Sequence, residues 1–350
     1  MTRLRNVVLL SLLLATGLVV AACGGGDSSS KEAASPSTDV NDLLTKTFTG
    51  SKQVKSGNLD VSLKIEAQGG SSELDGPVTV TLSGPFQAQD GGKLPKFKLD
   101  AAFDGAGQSI KAGATSTGEK GFVSFQGTDY AVEDQIFQQF KAGFEQAQKQ
   151  ATEGKESQSF ASLGMDPRKW LTSPKNAGEA KVGDDDTIKI TGGVDVAKLL
   201  DDVNAALEKA SSLGLQGAGQ VPEKLTDEQR RQVTAAVKDP RVEIYTGQDD
   251  TILRRMVVDF GIEEGGTTGT VAFDIAISDL NEDQDIAEPA DAKPFDQLLG
   301  QLGGLGGLGA SQEPAAGSGS SEDLEKYSKC VTEAGPDVDK ARKCADLLSP

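Results

Sequence analysis

The chain has 350 residues, with 35 Lys+Arg against 53 Asp+Glu, a formal net charge of −18 and no histidine. So acidic a balance excludes the usual grip on nucleic acid, which draws its affinity from basic contacts to phosphate, and a polybasic hold on anionic lipid; its plain meaning is solubility. Without histidine the usual general base and the commonest metal ligand are missing, although carboxylate, lysine or tyrosine chemistry stays open.

Arg3 and Arg5 open the chain, and Val7 to Ala22 is almost wholly apolar and carries no charge. That run is shorter than the ~20 apolar residues of a membrane span and fits the hydrophobic region of a secretory signal. It closes on Val20-Ala21-Ala22-Cys23. Positive region, apolar run, small residues and cysteine in this order resemble the bacterial lipobox; the alternative is an ordinary secretory signal with an incidental cysteine. The lipobox resemblance implies that residues 1–22 are a signal peptide. It also implies that Cys23 becomes the lipidated first residue, bearing a diacylglyceryl thioether that holds the protein to the outer, extracytoplasmic face of the cell membrane. Two or more acyl chains anchor stably where one is marginal. Loss of Arg3 and Arg5 takes the mature charge from −18 to −20. Residues 23–38 are mostly Gly, Ser, Ala and charge, the composition of a flexible leash.

Val40, Leu43, Leu44 and Phe48 fall at helical spacing behind Asp39, a plausible N-cap. The period then changes to two. Leu59, Val61, Leu63, Ile65 and Ala67 alternate with Asp60, Ser62, Lys64 and Glu66, which predicts a half-buried strand. Val78, Val80 and Leu82 repeat the pattern, as do Phe97, Leu99, Ala101 and Phe103, then Ile110, Ala112 and Ala114, then Val123 and Phe125, with Tyr130 and Val132 beyond. Strands so closely spaced predict an antiparallel meander of about six. Ile136, Phe137, Phe140, Phe144 and Ala147 predict a helix between Asp134 and Gln150.

After a polar segment, Asp166-Pro167 reads as an N-cap with Pro in the first turn. Asp184-Asp185-Asp186 predicts a turn before a short strand at Ile188 and Ile190. Asp195 caps a helix through Leu199, Leu200, Val203 and Leu207, and Thr226 with Gln229 forms a capping box for a helix ending near Lys238. Strands resume at Val242 and Ile244, continue from Ile252 to Phe260, and end with Val271, Phe273, Ile275 and Ile277. The expected fold is α+β: a curved antiparallel sheet, an incomplete β-barrel joined late in the chain, with the middle helices on its concave face.

The initial helix leading into Val54-Lys55-Ser56-Gly57 and an alternating meander resembles the LppX/LprG type of envelope lipoprotein. So does Ser278-Asp279-Leu280-Asn281, running through Ile286 to Pro289 after the last strand. These belong with the LolA/LolB-like carriers, so the resemblance implies an incomplete antiparallel barrel with helices against its concave side and an apolar, acyl-accepting cavity between. It covers residues ~39 to ~295 and rests on pattern and order rather than on a specific motif. Gln150 to Gln232, a long and partly polar middle, departs from the type where plugging helices would lie.

The carrier-like domain is assigned to residues 39–299 and a Gly/Ser-rich linker to 300–321. Residues 322–350 regain helical character in two pieces broken at Gly335-Pro336. Cys330 and Cys344 fall one in each, and in an oxidising compartment a disulfide between them would clamp a helical hairpin too small to fold alone.

Other motifs fail on context. Gly304-Leu305-Gly306-Gly307-Leu308-Gly309 matches a dinucleotide fingerprint but follows no strand. Asp279, Asn281, Asp283 and Asp285 have calcium-loop spacing, yet Gln284 stands at the required glycine, so an acidic strand-exit loop is the reading. Arg254 shares a strand face with Met256 and Val258 and is read as exposed at an edge. Ala101, Ala112 and Ala114 share a face with Phe97, Leu99, Phe103 and Ile110; small residues there either admit a close-packed helix or leave a dry void for an apolar ligand.

The function read from these features is a non-enzymatic, cofactor-free, membrane-anchored extracytoplasmic lipoprotein that binds or carries a lipid or glycolipid. Leu63, Ile65, Val80, Leu82, Phe97, Leu99, Phe103, Phe273 and Ile275 are the candidate lining. The alternative is an envelope interaction or structural lipoprotein that binds a protein partner and has no ligand cavity.

Overall fold

Alternating segments separated by short Gly-rich breaks bury one face most cheaply by pairing with their neighbours in the chain. The computed structural model, which describes residues 39–49, 54–69, 76–153, 166–212 and 224–304, shows this pairing. The signal, the leash, the expected hairpin, Cys23, Cys330 and Cys344 lie outside the described residues. The chain divides into two units, Met1–Leu299 and Gly300–Pro350, and every described strand belongs to the first.

Helix α1 (Val40–Thr49) is capped as expected: the Asp39 carboxylate accepts the N–H groups of Asn41 and Asp42 at 2.8 and 3.2 Å. Six strands follow: β1 (Ser56–Gln68), β2 (Gly76–Gln87), β3 (Lys96–Gly105), β4 (Gln108–Ser116), β5 (Gly121–Phe125) and β6 (Thr128–Ala131). Then come α2 (Asp134–Glu153), the one-turn α3 (Pro167–Trp170), the hairpin β7 (Leu171–Val182) and β8 (Asp185–Val194), α4 (Val196–Ser212) and α5 (Asp227–Ala236). The chain continues through β9 (Val237–Gly247), β10 (Leu253–Glu264), β11 (Thr267–Ser278), the two-residue β12 (Lys293–Pro294) and α6 (Phe295–Gly304).

All twelve strands of the described residues form one sheet, in the order β12-β6-β5-β4-β3-β2-β1-β11-β10-β9-β8-β7. Only the short β12–β6 pairing is parallel. The two strand runs join where β11 returns beside β1, with Val61 opposite Ile275 and Leu63 opposite Phe273. β7 and β12 stand at the two ends, so the sheet is open and curved. Register shifts in the β9–β10 and β7–β8 pairs supply local bends.

The segments that carried the sequence resemblance meet in space. Asn281 accepts the Lys55 N–H through its side chain at 2.7 Å and donates its own N–H to the Ser56 carbonyl at 2.9 Å. A Cβ on Gly57 would sit 2.8 Å from the Ser278 carbonyl oxygen, so glycine lets the two segments close. Asp279, the first residue of the acidic loop, accepts from the Asn58 amide at 2.7 Å. These latches account for the residues at calcium-like spacing as parts of a strand exit.

Two expectations need correction. The middle of the chain is not helical and irregular alone. It contains β7, which reads poorly because it is an edge strand, paired only with β8, exposed on most of its side chains and broken in register; without a buried face it has no reason to alternate. Arg254 is not edge-exposed. It is buried and held by Asp250 at 2.8 Å, by Asp185 at 3.0 Å and by the Ile252 carbonyl at 3.2 Å. Two of its partners lie in the adjacent β9–β10 turn and the third, Asp185, at the start of β8, 69 residues away in the chain. α6 runs to Gly304, across residue 300, where the linker was expected to begin.

Candidate functional site

The pairing registers trace rows of side chains straight across the inner face, the face that bears the helices. One row runs Ile190, Ile244, Met256, Ile275, Val61, Leu82, Ala101, Ala112, Phe125. The next runs Val242, Val258, Phe273, Leu63, Val80, Phe103, Ile110. In both rows every position from β8 or β9 to β1 is buried, and every position from β2 onward is half-buried or exposed. The change falls between β1 and β2 in each.

Helices explain the buried half. Leu43, Leu44 and Phe48 of α1, Trp170 of α3, Leu200, Val203 and Leu207 of α4, and Val233 and Ala236 of α5 join the inner residues of β1 and β8–β11, with Val78 and Phe86 of β2, in one core. The Thr47 and Thr246 hydroxyls hydrogen-bond at 2.9 Å, fixing α1 over β9. Two buried polar side chains staple α4. Asp202 accepts the Asp166 N–H at 2.7 Å, and Asn204 accepts the Leu225 N–H at 2.8 Å while donating to its carbonyl at 3.4 Å. Asp166 in turn caps Arg168 and holds its guanidinium at 2.8 Å, which keeps the Asp166 carboxyl below the ordinary value. Burial pushes the Asp202 carboxyl up, against the pull of the Asp166 N–H.

Over β2 to β6 the described residues cover the inner face less deeply, leaving a partly covered apolar trough; Val78 and Phe86 of β2 still belong to the core, and Val80, Leu82, Phe97 and Phe103 pack against its margin. The floor of the trough is Val80 and Leu82 from β2, Phe97, Ala101 and Phe103 from β3, Ile110, Ala112 and Ala114 from β4, and Val123 and Phe125 from β5. Ala112 and Ala114 are exposed and the larger residues half-buried. No charged side chain occupies an inner-face position along these rows. One end of the trough is closed. There a Cβ on Gly121 would overlap the Phe137 ring of α2, Phe97 lies opposite the buried Phe86, and the Ser116 hydroxyl donates to the Pro95 carbonyl at 3.0 Å.

The nine residues chosen from sequence all lie on the inner face, but in two environments. Leu63, Ile65, Phe273 and Ile275 belong to the helix-covered core. Leu99 is buried apart from that core, and Val80, Leu82, Phe97 and Phe103 are half-buried and pack against the core's margin. Sequence reading left Val123 and Phe125 out of the lining, although their alternation was visible; what it could not show is which half the described helices cover less deeply. Among the described residues no cluster of three side chains fits a metal ion, and no helix is long and apolar enough to cross a membrane.

No family model and no curated protein matches the chain. Solved structures similar to it include LprF from Mycobacterium bovis, at 15% identity and a TM-score of 0.37, covering 74% of this chain and 100% of that one. The Mycobacterium tuberculosis lipoprotein LppX is similar at 12% identity and a TM-score of 0.30, covering 71% of this chain and 100% of that one. A DUF1329 family protein from Desulfovibrio piger is similar at 11% identity and a TM-score of 0.20, covering 70% of this chain and 92% of that one. The type named from the sequence is thus represented among the similar structures. Likenesses this distant fix neither ligand nor site.

Proposed function

We propose that the protein is a non-enzymatic, lipid-anchored extracytoplasmic lipoprotein that shields the acyl part of a lipid or glycolipid against the less covered half of its sheet. The observation that carries this reading is the apolar trough over β2 to β6, where the described residues cover the inner face less deeply than elsewhere. Each methylene taken from water there is worth ~0.8 kcal/mol, so an acyl chain needs no polar group for its hold. The uncharged floor favours a tail over a carboxylate, because an unpaired buried charge is costly. The positive start, apolar run and small residues before Cys23 support the anchor, and the lack of histidine supports a binding rather than a catalytic role.

The test is native mass spectrometry of the mature chain with Cys23→Ser, secreted from its own host, followed by organic extraction. Stoichiometric lipid, reduced when Ala112→Phe fills the trough, is the expected result. A clean apo mass in repeated preparations, with no lipid taken up on incubation, overturns the carrier reading in favour of an envelope interaction protein.

A further inference from the structure

Ile136 and Phe140 are the large hydrophobic side chains that stay exposed among the described residues, at 47% and 52%. They stand one turn apart on the same side of α2. The adjacent side of the helix is engaged: Phe137 is buried against Gly121, Lys141 pairs with Glu119 at 2.8 Å, and the Gln138 amide donates to the Glu119 carbonyl at 3.5 Å. The β4–β5 turn therefore holds the helix in one rotation and presents Ile136 and Phe140 outward. From Gln135 to Phe140 there is no charge, and Lys141 is neutralised by its partner. The uncharged stretch suits a contact with a neutral bilayer surface, with the exposed acids Glu133 and Asp134 just before it.

We propose that Ile136 and Phe140 seat this face of α2 in the surface of the bilayer to which the protein is tethered. The inference rests on the anchor proposed above. A leash from Cys23 to Asp39 reaches ~55 Å when extended, against a radius of gyration of ~18 Å for a domain of this size, so the tether lets α2 meet the membrane. Two inserted side chains give a weak contact that acts once the anchor has brought the surface close, and that sets orientation. Because Phe137 on the same helix closes the trough, docking would hold the closed end of the trough at the membrane. The contact is apolar, so it is insensitive to salt.

The experiment uses the mature chain with a hexahistidine tag in place of Cys23, tethered to phosphatidylcholine vesicles that contain a nickel-chelating lipid. In Phe140→Trp the added emission is expected to shift to the blue on tethering, to be quenched by brominated acyl chains, and to stay so in high salt. Quenching that persists when Ala112→Phe blocks the trough places the indole in the bilayer rather than beside a bound lipid. Gln139→Trp, on another side of the helix, is expected to show neither effect. An unshifted, unquenched Phe140→Trp overturns the proposal, and so does quenching that Ala112→Phe abolishes. A blue shift without vesicles, with a dimer mass that Ile136→Ser and Phe140→Ser dissolve, overturns it in favour of a second copy. The tag replaces the lipid anchor and Ala112→Phe isolates the trough, so failure of the docking face stays distinguishable from failure of either part of the carrier reading.

Discussion

The more and the less deeply covered halves of the inner face are made of the same material. Leu63 and Val80 lie opposite each other on neighbouring strands, with the same alternation around them, yet the first is buried within the core and the second is half-buried where it packs against the core's margin. Strand alternation decides which face is apolar; it does not decide what covers that face. Cover comes from helices elsewhere in the chain. α1, α3, α4 and α5 pack their apolar residues with those of β1, β8–β11 and the two ends of β2, whereas among the described residues α2 closes one end of the other half.

The comparison breaks most easily at matched phenylalanines. Phe273 and Phe103 lie in the same row, separated by Leu63 and Val80. Phe273→Ala is expected to cost ~3–5 kcal/mol by urea unfolding, as a fully packed aromatic does. Phe103→Ala is expected to cost about 1 kcal/mol, since a half-buried ring loses less transfer energy and leaves no closed cavity. Equal losses would mean that the two halves are equally covered in solution.

The less covered half is expected to be open only at its side chains, with a backbone as well formed as the rest. Gly84, on the β2 side of that half, has φ +139° and lies so close to β3 that a Cβ would overlap the Lys98 carbonyl oxygen. Gly84→Ala is therefore expected to cost ~2–3 kcal/mol, through backbone strain together with the clash against β3. A near-neutral result would show a loose β2–β3 pairing and weaken the idea of a pre-formed trough.

Filling the trough should separate binding from stability. Ala112→Phe adds an aromatic ring to an exposed inner-face position beside Ala101 and Phe125. Unfolding free energy is expected to stay within ~0.5 kcal/mol, as for surface changes generally, while recovered lipid falls. Lipid recovery at the native level would place the ligand elsewhere.

Much of the fold was legible in the sequence because local signals were strong. Leu59 to Ala67 and Val271 to Ile277 alternate so cleanly that both strands and their inner faces follow, and the capping box at Thr226 and Gln229 is present with both its hydrogen bonds. The late joining of the two strand runs was also expected, and β11 beside β1 supplies it. What escaped was set by distant partners. β7 carries no buried face to reveal it, and Arg254 owes its burial in part to Asp185, 69 residues away in the chain. The division of the inner face escaped for the same reason, since residues as alike as Leu63 and Val80 differ only in what packs above them.

The smallest expected effect lies inside the cover of the buried half, where Asp166 and Asp202 share one hydrogen bond and titrate in opposite senses. Asp202 is raised chiefly by burial, so the folded state bears a cost for its charge. That cost is absent below the ordinary carboxylate value, and stability is lost as pH rises from there through the folded value. Asp202→Asn keeps an oxygen for the Asp166 N–H and removes the ionisation. Its melting temperature is expected to exceed the native one slightly at pH 7, with the gap closing as pH falls toward 4. Asp166, lowered by the Arg168 guanidinium, runs the other way: its contribution is present above the ordinary value and is lost as pH falls through the folded one. Asp166→Asn should therefore melt below the native protein at pH 7, and that gap should also narrow in acid. Melting curves of both variants from pH 7 down to about pH 2 decide the matter, since the Asp202 window lies above the ordinary carboxylate value and the Asp166 window below it. If both gaps had the same sign at pH 7, the link between α4 and the start of α3 would not be the asymmetric one described, with one carboxylate bearing the burial and the other holding the arginine.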